Sequence, residues 1–315
     1  MTANRCDNFF FFPFKLIITV KLSAFYSQFS INCPIFAPKL TQYKMQKKMR
    51  VADDTTLIIT TYNKPVFLEL VLKSVMRQRV LPCEVIVADD GSKEDTKALI
   101  ERYQALFPVP LVHSWIPDEG FRLSMSRNVA IAKAKGDYII IIDGDIVLGP
   151  SFVADHVWAR EEGCFVNGNR ARLTKAATQW HCKTLNPCIT VFTPGLKRPL
   201  VMVRMPWLHR LDKGAMGINK IRGCNMAFWK KDLVAVNGFE ERIEGWGCED
   251  TELVDRLYNI GVRRKNIKGL APCVHLYHPK AAENYETHKA NIAIREETER
   301  LQKKRADKGL DQYLK

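Results

Sequence analysis

Two pairs of acidic side chains offer the clearest chemistry in this sequence. Asp143 and Asp145 flank a glycine directly after four isoleucines, in the run IIIIDGDIV. Glu249 and Asp250 follow a tryptophan that stands between two glycines, in the run EGWGCED. Carboxylate oxygens are preferred ligands of Mg²⁺ and Mn²⁺, and a positioned carboxylate can take a proton from a hydroxyl group. The first pair is therefore a candidate metal site, and the second pair contains a candidate general base.

Each pair also has a simpler structural interpretation. Asp-Gly-Asp is a common turn sequence, and Glu249 and Asp250 could be acids that favour the first turn of a helix. The isoleucines favour function for the first pair, because they indicate a buried strand that places both acids where sheets bind ligands. The glycines beside Trp246 favour function for the second pair, because they would make the indole a mobile aromatic lid beside a catalytic base.

Two further predicted strands also end in polar side chains. Thr60, Tyr62 and Asn63 lie at the end of the run TTLIITTYN, and Asp90 follows the run CEVIVAD. Ligands of open α/β sheets bind beyond the carboxyl ends of the strands, so these side chains are candidate ligand contacts. Asp90 could accept hydrogen bonds from a uracil N–H or from ribose hydroxyls, although ADDGS could also form a simple turn.

Arg127 is a candidate contact for a diphosphate. It lies in the run SRNVAIAKA, which predicts a helix. The planar guanidinium binds two oxygens at once. The alternative is that Arg127 belongs to a solvated basic face of this helix.

Two histidines are candidate metal ligands. His275 and His278 lie three residues apart in the run HLYHP. On a straight strand their rings would point to opposite faces, so both can bind one ion only if the chain bends between them. The proline that follows makes such a bend plausible. A structural role for each histidine is the alternative.

Strands and helices alternate four times in the first part of the chain. The predicted strands are TTLIITTYN, CEVIVADDGS, VPLVHSW and DYIIIIDGDIV, and the predicted helices between them are PVFLELVLKSVMRQ, KEDTKALIERYQAL and LSMSRNVAIAKA. This alternation predicts an α/β fold with a mostly parallel sheet flanked by helices. Residues 163–220 predict a loop-rich insertion over one face, and residues 262–277 a pair of strands.

The quoted motifs resemble known enzymes. TTYNK, ADDGS and SRNVAIAKAKGDYIIIIDGD resemble the nucleotide-sugar half of family 2 glycosyltransferases, which have the GT-A fold. NGFEERIEGWGCEDTELVDRL is similar to the acceptor half of the β-1,4-galactosyltransferases. The two resemblances occur in the correct order and together span roughly residues 55 to 280.

This resemblance implies a Rossmann-like GT-A sheet with a smaller acceptor-binding half. The implied divisions are an N-terminal extension at 1–50, a nucleotide-sugar half at 51–150, an acceptor and catalytic half at 151–285, and a charged helix at 286–315. The implied nucleotide-sugar contacts are Thr60, Tyr62, Asn63, Asp90, Arg127 and Asp143. The implied acceptor contacts are Trp246 and Glu249, with Asp250 as the base. The implied ligands of Mn²⁺ or Mg²⁺ are Asp145, His278 and His275, the last where those galactosyltransferases have a methionine.

These roles imply an inverting transfer of a hexose or N-acetylhexosamine from a UDP-sugar to a glycan hydroxyl. Asp250 would accept the proton of that hydroxyl, and a metal on Asp145 would neutralise charge on the departing diphosphate. Two other classes stay open. A nucleotidyltransferase would usually have a Gly-rich basic loop after the first strand, which TTYNKP is not. A non-catalytic sugar-binding module would not need both Asp145 and Asp250.

Composition and charge limit the classes of partner that the protein could bind. The chain has 315 residues, 46% of them hydrophobic and 26% charged, as in an ordinary soluble globular protein. The net charge is +14, of which residues 1–50 contribute +7 and the remaining body +7. A moderately basic body suits an acidic membrane surface or a phosphate-bearing substrate. No signature of a nucleic-acid-binding fold occurs, so we expect no nucleic-acid partner.

The first 50 residues differ from the rest. FFFFPFKLIITV is apolar, but Pro13 and Lys15 interrupt it, and a membrane span needs ~20 apolar residues. No clear small-residue cleavage site follows. We expect a poorly structured extension ahead of a functional start near Met45 or Met49. A weak membrane-surface anchor and a signal sequence are the alternatives.

The expected setting is the bacterial cytoplasm. Nine cysteines without a Cys-x-x-Cys motif indicate reduced, mostly buried thiols. We expect no membrane anchor or stem of the kind found in the galactosyltransferases that the chain resembles. We therefore expect an enzyme of lipopolysaccharide or capsule synthesis that makes peripheral contact with the cytosolic face of the inner membrane, with a glycan or lipid-linked glycan as acceptor.

Overall fold

Strands and helices alternate along most of the chain in the computed structural model, which describes residues 50–211, 217–279 and 284–314. The strands are β1 (Arg50–Thr61), β2 (Val80–Asp89), β3 (Leu111–Trp115), β4 (Tyr138–Asp143), β5 (Ile146–Leu148), β6 (Cys164–Asn167), β7 (Ala171–Leu173), β8 (Leu196–Lys197), β9 (Asn225–Trp229), β10 (Arg263–Asn266) and β11 (Cys273–His275). The helices are α1 (Pro65–Val75), α2 (Glu94–Gln104), α3 (Leu123–Lys133), α4 (Phe152–Ala159), α5 (Lys175–Thr184), α6 (Lys230–Ala235), α7 (Glu249–Asn259) and α8 (Tyr285–Leu301). Short 3₁₀ turns occupy Pro199–Met202, Pro206–Leu211 and Leu310–Gln312. The expectations for residues 1–49 lie outside the described residues.

A seven-stranded sheet forms the centre of the fold. Its strand order is β10-β6-β9-β4-β1-β2-β3. Only β9 runs antiparallel to its two neighbours, β4 and β6. The prediction of a mostly parallel α/β sheet is confirmed, and all four strands of the sequence-based alternation are present. The carboxyl ends of β1, β2 and β4 therefore meet at one edge of the sheet, where their polar residues collect.

The central strands are buried on both faces. Ile140 and Ile142 of β4 lie in one hydrophobic core, which α1, α2 and α4 complete. The residues that alternate with them, Ile139 and Ile141, lie in a second core with α3, α6 and α7. Burial on both faces explains why this strand is a continuous apolar run rather than an alternating one. The apolar run ends where this buried strand ends, at Asp143.

A second, smaller sheet lies beside the first, with the strand order β5-β11-β7-β8. Both strands predicted within residues 262–277 are present, but they do not pair with each other. Strand β10 pairs with β6 in the central sheet, whereas β11 pairs with β5 and β7 in the small sheet. A turn that includes Gly269, whose φ is +72°, separates the two strands. The Ala271 N–H donates to the buried carboxylate of Asp155 at 2.9 Å, which fixes this crossing.

The expected loop-rich insertion at 163–220 is only partly correct. The segment supplies β6 to the central sheet and β7 and β8 to the small sheet. These strands have four, three and two residues. Runs this short carry too little hydrophobic periodicity to be recognised from sequence.

The C-terminal tail continues beyond its helix. Helix α8 ends at Leu301, because Gln302 adopts a left-handed conformation with a φ of +50°. The tail then returns to the body, where Leu310 is fully buried in the second core. The predicted charged helix over 286–315 is therefore shorter than expected. The other proposed boundaries, at residues 150 and 285, stay predictions.

Among the described residues, no helix combines the length and the apolar character that crossing a bilayer would require.

Candidate active site

Asp145, His275 and His278 form a compact group of possible metal ligands. The Nε2 atom of His278 lies 2.9 Å from Asp145 Oδ2, and Nε2 of His275 lies 3.6 Å from the same oxygen. One ligand atom of each residue lies within 4.8 Å of the other two. The fold thus brings together the three residues that the resemblance implied as ligands.

The small sheet positions this group. Strand β11 pairs with β5 so that His275 lies opposite Ile146, the residue after Asp145. The N–H of Leu276 donates to the main-chain oxygen of Asp145 at 2.9 Å. Strand β11 ends at His275 and the chain turns, so that the centre of the His278 ring lies 5.1 Å from that of His275. The bend that both imidazoles need is therefore present.

The polar atoms of this group fit a divalent cation. Asp145 Oδ1 is buried without a hydrogen-bond partner among the described residues, although buried polar atoms are almost always paired. His278 Nδ1 lies 2.7 Å from the Pro279 carbonyl oxygen. A carbonyl only accepts, so Nδ1 carries a proton, and Nε2, which faces Asp145 Oδ2, is the nitrogen that could bind an ion. The hydrogen bond between this Nε2 and Asp145 raises the pKa of His278, so a bound ion would replace a proton here. Burial lowers the pKa of His275 to about 4, which keeps that imidazole neutral.

Gly144, between the two acids, is required by packing. A Cβ atom at this position would lie 2.4 Å from the main-chain oxygen of Thr60, closer than any side chain permits. The same close approach places the Thr60 hydroxyl 3.3 Å from Asp143 Oδ1. Thr60 is buried, so its placement supports Asp143 from within the sheet edge.

Arg127 links the two acid pairs. Its Nη2 atom lies 3.3 Å from Asp143 Oδ1, and its Nη1 atom lies 3.5 Å from Glu249 Oε1. The side chain is 1% exposed, and its guanidinium lies over the Phe239 ring at 5.0 Å. The sequence predicts a diphosphate contact for Arg127, whereas in the structure two carboxylates contact its guanidinium group. A direct contact stays a prediction, and it would require these acids to move.

Burial gives Glu249 an unusual acidity. Burial and the charge of Asp250 raise the pKa of Glu249 to about 7, and Arg127 offsets only part of this effect. Burial also raises the pKa of Asp143. Glu249 is therefore protonated in a substantial fraction of molecules near neutral pH and can then donate a hydrogen bond.

Asp250 is oriented by a backbone amide. Its Oδ2 atom accepts a hydrogen bond of 2.8 Å from the N–H of Gly223. It lies in the first turn of α7, which follows Cys248 in a left-handed conformation with a φ of +76°. A Cβ atom at Gly223 would lie 3.3 Å from Arg127 Nη2 and 3.5 Å from Asp250. The loop before β9 therefore touches both the arginine and the candidate base.

Trp246 lies on the surface, four residues before Asp250 in the sequence. Its side chain is 53% exposed, and its indole lies 5.6 Å from the His288 ring of α8. The φ of Gly247 is +102°, and a Cβ atom there would lie 2.9 Å from His288 Nδ1. Glycine is thus required at Gly247 both by its backbone conformation and by the contact with α8.

Asp90 has the geometry of a ligand contact. One of its carboxylate oxygens accepts the Arg122 N–H at 2.9 Å. The other, Oδ1, is buried without a hydrogen-bond partner among the described residues. Burial raises the pKa of Asp90 to about 6. Tyr62, which is 43% exposed, and Asn63 follow the adjacent strand β1.

Asn63 itself makes local bonds at this edge. Its side-chain oxygen accepts the Lys93 N–H at 2.9 Å, and its own N–H donates to Ser92 Oγ at 2.8 Å. The hydroxyl of Tyr62 lies 3.2 Å from a carboxylate oxygen of Asp118. Both residues therefore shape the loops around Asp90, and a direct ligand contact of either one stays a prediction.

Sequence reasoning missed Arg170. This residue lies between β6 and β7, contacts the Cys224 sulfur, and interacts electrostatically with Asp143 and Asp145. It is half-buried. The run NGNRAR offers no motif that would distinguish it from a surface arginine, because its placement depends on the short strands on either side.

The sheet, the acids at its carboxyl edge and the possible metal ligands define a GT-A glycosyltransferase architecture. The family model described as glycosyl transferase family 2 matches residues 56–209, and the one described as N-terminal domain of galactosyltransferase matches residues 212–279. The chain thus matches glycosyltransferase family 2 over the first of these ranges and a galactosyltransferase domain over the second. Both parts of the resemblance drawn from the motifs are confirmed.

Curated relatives agree with this family. The chain is 28% identical over 237 residues to the hyaluronan synthase of Pasteurella multocida, covering 68% of this chain and 24% of the relative. It is 27% identical over 240 residues to the chondroitin synthase of Escherichia coli, covering 71% and 35%. The chain therefore spans a quarter to about a third of the length of these relatives.

A solved structure supports the fold. The structure described as GalNAc-T7 with UDP, GalNAc and Mn²⁺ matches 79% of this chain and 48% of its own, with a TM-score of 0.53 and 14% identity. At this identity the likeness concerns the fold alone.

Proposed function

We propose that the chain is an inverting, metal-dependent glycosyltransferase that moves a hexose or N-acetylhexosamine from a UDP-sugar to a hydroxyl of a glycan or lipid-linked glycan. The observation that carries this proposal is the position of Arg127 between Asp143 and Glu249. Asp143 is close in sequence to Asp145, and Glu249 directly precedes Asp250. Arg127 therefore connects the possible metal ligands with the candidate base at one edge of the sheet. In a transfer from a diphosphate donor to a hydroxyl acceptor, a cation can stabilise the leaving group and a base can activate the hydroxyl.

The donor lies over the carboxyl ends of β1, β2 and β4. The Asp90 Oδ1, which has no described hydrogen-bond partner, accepts the uracil N–H, and Asp145, His275 and His278 would hold the metal. Two imidazoles favour Mn²⁺ over Mg²⁺, which prefers oxygen ligands, and the solved structure reported above contains Mn²⁺ with UDP. When bound, such a cation neutralises negative charge on the diphosphate leaving group.

The acceptor lies between Trp246 and Asp250. The exposed indole stacks on the acceptor sugar. Asp250, oriented by the Gly223 N–H, takes the proton of the acceptor hydroxyl. The acceptor oxygen bonds to the anomeric carbon while the bond from that carbon to the diphosphate oxygen breaks, and the electron pair leaves with UDP. Attack from the face opposite the leaving group inverts the configuration.

Arg127 acts as a positioning residue in this scheme. It holds Asp143 and Glu249 by ion pairs while it is itself buried. Glu249, with a pKa raised to about 7 by burial, carries a proton in part of the molecules and can donate a hydrogen bond to the acceptor.

We also propose that the enzyme serves the synthesis of a bacterial lipopolysaccharide or capsule, at the cytosolic face of the membrane. The two curated relatives are bacterial synthases of polysaccharides by name. The net charge of +14 suits an acidic membrane surface.

The proposal is tested with a panel of nucleotide sugars. The protein is incubated with each one and Mn²⁺, with and without glycan acceptors, and the released nucleotide diphosphate is measured. We expect UDP from at least one UDP-hexose or UDP-N-acetylhexosamine, and loss of this release in Asp250→Asn. Formation of UTP and sugar 1-phosphate from a UDP-sugar when pyrophosphate is added, with no release of UDP, would identify a nucleotidyltransferase. Binding of sugars with no release from any donor would identify a binding module.

A further inference from the structure

A row of basic residues extends across the small sheet, away from the possible metal ligands. Arg172 of β7 lies opposite His275 of β11 on one side and opposite Lys197 of β8 on the other. Residues that lie directly opposite on neighbouring strands share one face of the sheet. Arg172 and Lys197 are both exposed. Positive charge therefore extends from the metal-ligand residues to the edge strand.

Two more arginines join this row. Burial, together with the charges of Arg170, Arg172 and Arg198, lowers the pKa of Arg222, so these guanidinium groups lie close together. Arg198 directly follows Lys197 in the sequence and is exposed. We call Arg172, Lys197, Arg198 and Arg222 the basic patch. Arg170 lies between this patch and the acids of the site.

The basic patch reaches the candidate base. Arg222 directly precedes Gly223, whose N–H holds the Asp250 carboxylate at 2.8 Å. The N–H of Arg222 itself faces Asn167 Oδ1 at 3.4 Å, which fixes this loop to the central sheet. The patch therefore borders the acceptor side of the proposed site.

The patch has no counter-charge of its own in the described part of the chain. None of its four side chains has a described carboxylate within the 4.0 Å of an ion pair. Other arginines here do have one, such as Arg256 with Glu252 at 2.6 Å and Arg295 with Asp255 at 2.9 Å. Clustered like charges destabilise a compact fold, so an unpaired cluster beside a binding site points to an anionic ligand.

We infer that the basic patch binds a carboxylate group of the acceptor, so that the acceptor is an acidic, uronate-containing glycan. The inference rests on the proposed function and adds the acceptor class to it. The donor diphosphate already has Arg170 and the metal-ligand residues beside it, whereas Arg222 of the patch adjoins the Gly223 N–H that holds Asp250. Guanidinium groups suit this ligand, because their planar fork binds both oxygens of a carboxylate.

The test compares two acceptors that differ only in charge. One is a short oligosaccharide of alternating glucuronate and N-acetylglucosamine, and the other is the same oligosaccharide with its carboxylates reduced to alcohols. Binding to the full chain is measured by calorimetry with UDP and Mn²⁺ present. We expect the charged form to bind roughly tenfold tighter or more, as for hydrogen bonds to charged groups. Added salt should reduce this preference, because exposed charges are screened.

Variants test which residues cause the preference for the charged oligosaccharide. Arg198→Gln and Arg222→Gln should each remove most of it and leave UDP affinity unchanged. Arg79→Gln is the matched control, because Arg79 is exposed and precedes β2 at the opposite edge of the sheet. Melting temperatures verify that each variant is folded.

Three results would overturn the inference. They are equal binding of the two oligosaccharides by the wild type, no binding of either, and a loss of UDP affinity in Arg198→Gln and Arg222→Gln, which would assign the patch to the donor. Failure of the proposed function would look different. In that case no nucleotide sugar would release UDP, whatever the oligosaccharides do.

Discussion

The adjacent acids Asp89 and Asp90 have different hydrogen-bond partners and therefore different roles. Both oxygens of Asp89 are occupied, by the Ser92 N–H at 2.8 Å and by His113 Nε2 at 2.8 Å. Asp90 has one occupied oxygen and one buried oxygen without a described partner. The run ADDGS indicates that acids are needed here, but only packing distinguishes the structural acid from the one available to a ligand.

Asp90 predicts a pH dependence for uridine binding. Burial raises its pKa to about 6, and an ionised carboxylate accepts the uracil N–H better than a protonated one. Affinity for uridine should therefore be highest above pH 6 and fall by up to about tenfold toward pH 5, since one unit below its pKa about a tenth of an acid is ionised. Uridine is used because it carries no phosphate and needs no metal.

Calorimetry at pH 5 and pH 7.5 measures this dependence. Asp90→Asn, which cannot ionise, is the control and should bind weakly with little change between the two pH values. The same pH dependence in wild type and Asp90→Asn would show that another group is responsible.

Asp250 is the residue on which the chemical step depends. Asp250→Asn keeps an acceptor for the Gly223 N–H but removes the base. Proton transfer by a positioned group contributes roughly 10²–10⁴-fold, so kcat should fall by that factor while UDP affinity and melting temperature change little. Trp246→Ala serves as comparison and should raise KM for the acceptor. Wild-type turnover in Asp250→Asn would mean that the acid only stabilises the start of α7.

At the scale of elements, helix α8 holds the loop that carries Trp246. Asn291 is 1% exposed, and its Nδ2 donates to the main-chain oxygens of Glu244 at 2.7 Å and Gly247 at 3.2 Å. These two bonds bracket the indole. The C-terminal helix therefore restrains the loop that carries Trp246, a role that the charged sequence of α8 does not indicate.

Removing this restraint should affect acceptor binding. Asn291→Ala removes both hydrogen bonds to the main-chain oxygens of Glu244 and Gly247, at a cost of about 0.5–1.5 kcal/mol for each bond in the free energy of unfolding. The loop should also lose order, so KM for the acceptor should rise while UDP affinity stays the same. Ile292→Ala, at a neighbouring position that is 37% exposed, should change neither. Unaltered acceptor KM in a destabilised Asn291→Ala would limit α8 to a structural role.

The strands also show which parts of the fold could be predicted from the sequence. Strands β1 and β4 could be predicted, because a strand buried on both faces is a continuous apolar run that ends in polar residues. The small sheet could not, because it pairs segments more than 100 residues apart, such as Val147 with Val274. The meeting of Asp145 with His275 and His278 was predicted from the resemblance. The burial of Arg127 and the position of Arg170 were not, because they depend on tertiary packing.

For the whole molecule, we predict that a chain starting at Met49 folds and keeps its activity. Strand β1 begins at Arg50, which pairs with Val80 of β2, so this truncation retains every described strand. Its melting temperature should match that of the full chain. A chain starting at Thr56 is the contrasting variant, and it should be destabilised because it loses the first half of β1. Loss of folding or of UDP release in the chain starting at Met49 would contradict the prediction.

The central claim is that transfer depends on a divalent cation held by Asp145, His275 and His278. The most direct measurement is the rate of UDP release from the preferred UDP-sugar as Mn²⁺ is titrated into chelator-treated protein. The wild type should be inactive in chelator and regain its full rate with Mn²⁺. Asp145→Asn, which keeps the shape of the side chain, should stay inactive at Mn²⁺ concentrations that saturate the wild type, with an unchanged melting temperature. Full activity of the wild type in excess chelator, or normal Mn²⁺ dependence of Asp145→Asn, would contradict the claim.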